Sequence, residues 1–287
     1  MLDSLKRFLL VFVLVIAAAA GGAAVYVFYW LPKSQPDAQN SQNSVVQIVR
    51  QLRQADYEGN QQGMKQSFDD LSRFGSVRDP AVASRVHYWR GFAMWRRAIN
   101  GLNDNVDPGE IQQDLQQARD ELNESLKDDP NYIESKIAMI SVLGNMMFLH
   151  HDDQAKIREL VQESAPFVQA AQERGRDNPR FLWVMGPILF LTAPEHGGGQ
   201  DKAIALYERG LAAARIAVDT SATDPLEPTW GEPELLMSLA WSNLNKTTPD
   251  LDQAEKNARS ALELVPDWHY VNDILLPQIT KAKAGGN

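Results

Sequence analysis

The sequence predicts an all-α protein, a superhelix of helical hairpins preceded by one N-terminal membrane-crossing helix. Three observations carry that expectation. A charge-free apolar run opens the chain, apolar residues then recur at helical spacing almost to its end, and three later helices share a stripe of small residues. With 287 residues and 44% hydrophobic content, the chain is long and apolar enough to bury a sizeable core.

Residues 1–7 are read as a short cytoplasmic N-terminus and residues 8–31 as the membrane span. From Phe8 to Leu31 the sequence FLLVFVLVIAAAAGGAAVYVFYWL holds twenty-four residues without a charged side chain, thirteen of them Leu, Ile, Phe or Val. As a helix it would be ~36 Å long, enough to cross a ~30 Å hydrocarbon core with some tilt. Lys6 and Arg7 precede it and only Lys33 follows closely, so the positive-inside bias places the rest of the chain outside the cytoplasm. Ala17 to Ala20 offer the small residues of a cleavage site, so a removed signal peptide is the competing reading. The apolar run continues through VYVFYWL, which favours a retained signal anchor. Residues 32–44, PKSQPDAQNSQNS, read as a polar linker that spans ~40 Å when fully extended.

Beyond residue 33 the chain is acidic, because the net charge of −9 includes a small positive excess before that point. Such a surface repels phosphate, so no nucleic-acid partner is expected. Arg90, Arg96 and Arg97 read as solvated or paired charges on a helix. The absence of Cys excludes disulfides, thiolate metal sites, a Cys nucleophile and a lipidated Cys anchor.

Over 45–282 no period-2 alternation stands out, and Pro and Gly clusters divide the helical pattern. The helices expected are 45–56, 61–74, 81–100, 108–128, 131–149, 153–175, 180–191, 200–218, 231–245, 251–264 and 267–282, with a short flexible tail at 283–287. They fall into pairs. Ala118, Leu122 and Ser125 precede Pro130; Ala254, Ala258 and Ala261 precede Pro266; Ala203, Tyr207 and Gly210 lack the proline. Offsets of 0, 4 and 7 put each set on one helix stripe, where mostly small side chains let a neighbouring helix come close.

At these residues the chain resembles the tetratricopeptide-repeat (TPR) family, whose units are helix pairs of 34 residues. Gly91 in SRVHYWRGFAMW, Leu143 and Gly144 in SVLGN, Gly186 in FLWVMGPIL, and Leu239 and Ala240 in LLMSLAWSNL match its central small position. The spacing departs from the family. Gly91 to Ala118, Gly186 to Ala203 and Ala240 to Ala254 are 27, 17 and 14 positions apart, so insertions sit inside the repeats. PEHGGG before a helix, then PTWGEPELL and the final LLP stretch, is similar to bacterial membrane-anchored extracytoplasmic TPR proteins. A more distant likeness is to the T component of tripartite periplasmic transporters. That component is typically anchored through a Cys, which this chain lacks.

No H-E-x-x-H, G-x-S-x-G or dinucleotide-binding motif occurs, and no nucleophile is paired with a base, so no catalytic residue, metal ligand or cofactor is assigned. The HHDD run at 150–153 reads as a solvated loop. GGGQDKA lacks the Lys-Ser or Lys-Thr of a phosphate loop, and Asp201 would repel a phosphate at that helix start. It reads as a turn, with Glu195 and His196 the residues to consider for any ligand. Six aromatic residues form the more informative set: Tyr88, Phe92, Trp95, Trp183, Phe190 and Trp241. The family resemblance implies that they line a concave groove for a protein or peptide partner. The same stripe becomes core if the superhelix closes on itself or if the last helix fills the groove. The function expected is therefore a non-enzymatic scaffold, held at the bacterial inner membrane with its repeat domain in the periplasm. The alternative is a small-molecule-binding accessory of an uptake system.

Overall fold

The computed structural model describes residues 15–19, 22–26, 38–75, 79–217 and 224–285, in two units that divide at Asn40. In the first unit, β1 (Val15–Ala19) pairs antiparallel with β2 (Gly22–Tyr26), Val15 opposite Tyr26 and Ala19 opposite Gly22. At these ten residues the structure has strands where the sequence predicts part of a helix over 8–31. β-Branched Val15, Ile16 and Val25 suit a strand, and glycine inside a helix costs about 1 kcal/mol relative to alanine. The remainder of 8–31, the N-terminus 1–7 and positions 32–37 of the linker lie outside the described residues. Among the described residues no helix is long and apolar enough to cross a membrane.

From α1 onward the described elements are all helical, α1 starting three residues before the division: α1 (Ala38–Tyr57), α2 (Gln61–Leu71), α3 (Pro80–Asn103), α4 (Pro108–Asp128), α5 (Ile133–Leu149), α6 (Gln154–Arg174), α7 (Pro179–Leu191), α8 (Gln200–Ala217), α9 (Glu232–Asn245), α10 (Leu251–Leu264) and α11 (Leu276–Gly285). Most boundaries fall where the sequence places them, for a local reason. Asp79, Asp107 and Asn178 each accept a hydrogen bond from a first-turn N–H, and each is followed by a proline at the start of α3, α4 or α7. The proline has no N–H to leave unpaired, and its fixed φ already suits a helix. Two boundaries differ. α1 starts at Ala38, so it takes over the last seven positions of the expected linker, and the last expected helix begins as a π-turn over Tyr270–Leu275 before α11.

Consecutive helices pack as antiparallel hairpins, α3 with α4, α5 with α6, α7 with α8 and α9 with α10. The first helices also touch one another in series, α3 with α5, α5 with α7 and α7 with α9. They form an inner layer, and their partners lie outside it. This is a tetratricopeptide-like stack, and the small residues make its contacts. A Cβ on Gly91 would stand 2.8 Å from Leu122 Cγ and 3.1 Å from the Ala118 carbonyl, and one on Gly186 would overlap the Tyr207 ring. Ala240 in α9 faces Ala254, Ala258 and Ala261 of α10, all without solvent exposure. The α5–α6 pair is looser, since nothing lies within 4 Å of a Cβ on Gly144 and α6 buries only Leu160, Ser164 and Ala171. Ser125 in α4 hydrogen-bonds Ser84 of α3 at 3.0 Å and Ser135 of α5 at 2.6 Å, so three helices share one buried hydroxyl chain.

Candidate functional site

Helical spacing puts Tyr88, Phe92 and Trp95 on one face of α3, and that face turns away from water: all three are buried, as is Trp183 of α7. Phe190 of α7 and Trp241 of α9 are half-buried and meet edge to face, ring centroids 5.0 Å apart. The open six-residue groove is thereby corrected. Four of its members belong to the core, because the connection between α8 and α9 lies across them.

That connection, over Asp224–Gly231, is seated by the inner layer. The Trp230 ring lies 5.8, 5.7 and 5.5 Å from the rings of Phe92, Trp95 and Trp183, in edge-to-face or tilted arrangements that aromatic pairs favour. Its indole N–H donates to the Tyr88 hydroxyl at 3.0 Å. The Trp89 indole donates to the Leu226 carbonyl at 2.8 Å, and Arg180 donates to the Trp230 carbonyl at 3.0 Å. Glu227 receives Arg85 at 2.8 Å and the Tyr132 hydroxyl at 3.2 Å. Burial pushes the Glu227 carboxyl above its ordinary value, with Arg85 pulling against it. Burial also pushes up the Tyr88 and Tyr132 phenols, which keeps both as neutral hydroxyls. Arg180 is held in turn by Glu134 at the start of α5, 2.6 Å away.

The other filler is α1. Asp56, fully buried, accepts from Arg96 Nε and from Asn100 Nδ2 of α3, each at 2.9 Å. Tyr57 donates to Glu234 at the start of α9 at 2.7 Å and stacks edge-on against Trp268. One helix thus joins the first inner helix to the last. The superhelix closes on itself, and its filling is α1 with the 224–231 segment instead of the last helix. Trp230 had a signal in the sequence, since it is the one aromatic residue in the stretch 218–231 that separates α8 from α9. Nothing in periodicity says that such a residue turns inward.

The PEHGGG loop is a turn between α7 and α8. Gly197 has φ 89°, in the left-handed region, and a Cβ on Gly198 would overlap the Thr192 backbone. Glu195 and His196 are exposed and stand outside the cleft that the loop borders. That cleft of about 770 Å³ is lined by Phe190, Leu191, Pro194, Gln200, Lys202 and Lys246. Thr247 donates from its N–H and hydroxyl to Gln200, which joins the α9–α10 turn to the start of α8. In the HHDD run, Asp153 caps α6, accepting from the Ala155 and Lys156 N–H groups. Among the described residues no group of three or more His, Asp or Glu side chains could hold a metal.

At the ends of α5 and α7, large apolar side chains remain in water, Leu191 among the residues that line the cleft. Leu191 is 79% exposed and Ile188 43% exposed at the end of α7, and Phe148 is 63% exposed at the end of α5. α5 and α7 run in the same direction, so these ends share one rim of the stack.

No protein-family model matches the sequence, and no curated protein matches it. Among solved structures, the chain is similar to the HusA haemophore from Porphyromonas gingivalis, with 18% identity and a TM-score of 0.55 over 75% of this chain and 98% of that one. It is also similar to TTC0263, a thermophilic TPR protein in Thermus thermophilus, with 16% identity and a TM-score of 0.49 over 85% and 99%. The likeness is one of fold. HusA and this chain share a helical architecture at an identity too low to carry a site across. The second match is too distant to argue from, and the repeat character rests on the hairpins and small-residue contacts described above.

Proposed function

We propose that this chain is a non-enzymatic helical-repeat scaffold whose partner, a protein or peptide, docks on the rim formed by the ends of α5, α7 and α9. The observation that carries the reading is the apolar set left in water there: Leu191, Ile188 and Phe148, beside the half-buried Phe190–Trp241 pair. Large apolar side chains gathered in water at one end of a helical stack mark interaction sites, and aromatic anchors contribute much of the binding energy where such sites are mapped. The non-enzymatic reading rests on the sequence, which pairs no nucleophile with a base. The charge-free run over 8–31 and the preceding Lys6 and Arg7 support attachment to the bacterial inner membrane, with the repeat unit on the periplasmic side. A photocrosslinker placed at Leu191 or Trp241 in cells is expected to capture one specific protein, while one at exposed Leu264 on α10 captures none. Equal, nonspecific capture at all three positions by a folded protein would remove the rim from the account.

The cleft supports a second reading, a small-molecule carrier serving an uptake system. Its volume falls within the ~300–1,000 Å³ of ligand sites, and HusA, which shares the fold, is a haemophore. Bound ligand raises the melting temperature by mass action. A panel of metabolites that includes hemin is therefore expected to contain a compound that stabilises the wild type and fails to stabilise Lys246→Glu. A flat panel discards this second reading.

A further inference from the structure

Many buried and half-buried cations of this chain face carboxylates, Arg85, Arg90, Arg96, Arg97, Arg119 and Arg180 among them. Lys246 does not. It is half-buried in the turn between α9 and α10, has no ion-pair partner among the described residues, and lines the cleft of about 770 Å³ between that turn and the α7–α8 loop. The groups around it are polarised in the same sense, because the loop uses up its own acceptors. Gly199 donates to the Leu189 carbonyl, Gly198 to Ala193, Gly197 to Pro194, and Lys202 Nζ to Gly197 at 3.1 Å. The Gln200 oxygen is taken as well, by the N–H and hydroxyl of Thr247 at 2.8 and 3.0 Å. Two donors on that oxygen fix which end of the amide it is, and they leave the NH2 with its own two donors and no partner among the described residues. The polar side of the cleft is therefore rich in donors. Its other side is apolar: Leu191, 79% exposed, with Pro194 and with Phe190, which packs edge to face against Trp241.

We propose that this cleft binds a monocarboxylate with an apolar tail, its carboxylate on Lys246 and the Gln200 amide and its tail on Leu191, Pro194 and Phe190. The inference rests on the small-molecule reading of the cleft and narrows it to one ligand class. A hydrogen bond from an ammonium to a carboxylate is roughly twice as strong as one between neutral groups, so an uncharged amide of the same shape loses the main polar contact. An amine is repelled by Lys246. Asp201 sets the upper limit on charge. It lines the cleft with Lys202 and Lys246, and two cations against one anion leave a single positive charge. One carboxylate neutralises that charge, whereas a phosphate monoester or a dicarboxylate exceeds it and brings its second charge towards Asp201. The tail covers Leu191, and each methylene removed from water adds affinity.

The test uses the full chain with labelled leucine and threonine methyl groups, and the nuclear magnetic resonance shifts of Leu191, Thr192, Thr247 and Thr248 report on the cleft they line. The probes are butanoate, hexanoate, octanoate, hexanamide and hexylamine. The acids are expected to move these four methyl signals, with a Kd that falls at least about tenfold from butanoate to octanoate as the tail lengthens. Hexanamide and hexylamine are expected to bind at least about tenfold more weakly than hexanoate. Lys246→Gln is expected to weaken hexanoate at least about tenfold and to leave hexanamide unchanged, a split that a general loss of structure does not produce. Acids that leave the four signals in place, or acid, amide and amine that bind alike to the wild type, overturn the proposal. Its failure is separable from that of the small-molecule reading. If the metabolite panel contains a compound whose stabilisation depends on Lys246 while octanoate leaves the cleft unmoved, the ligand class alone falls; if panel and acids are both without effect, both fall.

Discussion

Gly144 and Gly186 hold the same place in the repeat pattern and opposite places in the structure. A methyl group on Gly186 would overlap the Tyr207 ring of α8, whereas one on Gly144 would meet nothing within 4 Å. Overpacking a closed contact costs ~1–3 kcal/mol, and replacing an unstrained helical glycine by alanine stabilises by ~0.4–1 kcal/mol. Gly186→Ala is accordingly expected to lower the urea-unfolding free energy by about 3 kcal/mol, and Gly144→Ala to leave it unchanged or raise it by about 0.5 kcal/mol. Equal effects from the two would mean that the α7–α8 crossing is not as close as described. The sequence shows both residues to be small at a helix-contact position. It does not show which is pressed, because that depends on how closely the partner helix approaches, and Tyr207 lies 21 residues away in the chain.

At the scale of elements, the starts of helices were legible and their docking was not. Asp79, Asp107 and Asn178 before prolines announce α3, α4 and α7 from a few adjacent residues, because a cap is a local hydrogen bond. The early start of α1 was missed, since AQNSQNS carries too few apolar residues to reveal a helix by periodicity. The strands β1 and β2 were missed for a related reason: a continuous apolar run has no period to read. Two histidines join elements through ion pairs. His87 of α3 hydrogen-bonds Glu121 of α4 at 2.7 Å, and His269 bridges Asp104 beyond α3 at 2.9 Å and Asp273 in the π-turn at 2.8 Å. Both imidazoles are raised above their ordinary 6.5, His87 by the Glu121 hydrogen bond against burial, and His269 by those to Asp104 and Asp273. A raised histidine contributes stability that is fully present below its unfolded value and is lost as pH rises through the folded value. Urea midpoints of the wild type are therefore expected to fall as pH rises from about 6 to about 8.5, the window above the unfolded value of histidine. The double variant His87→Gln, His269→Gln should lose less over that range. Identical slopes for the two proteins would show that neither pair is charged in the folded state.

For the whole molecule, the decisive feature is what fills the inside of the superhelix. A stripe of aromatic residues at helical spacing looks the same in sequence whether it lines a groove or a core, because helical spacing fixes the face of a residue and says nothing of what lies opposite. Here the chain supplies its own filling, with Trp230 against Phe92, Trp95 and Trp183 and with Asp56 of α1 paired to Arg96, and leaves its exposed apolar groups on the rim. The most direct measurement is hydrogen exchange of the tryptophan indole N–H groups, followed by nuclear magnetic resonance on the protein alone. The indoles of Trp89, Trp183 and Trp230 donate to Leu226, Ser238 and Tyr88 inside the stack and are expected to exchange at least about a thousandfold more slowly than that of Trp241, whose side chain is half-exposed at the rim. Four indoles exchanging at one fast rate would contradict this account, because the inner face would then be an open groove.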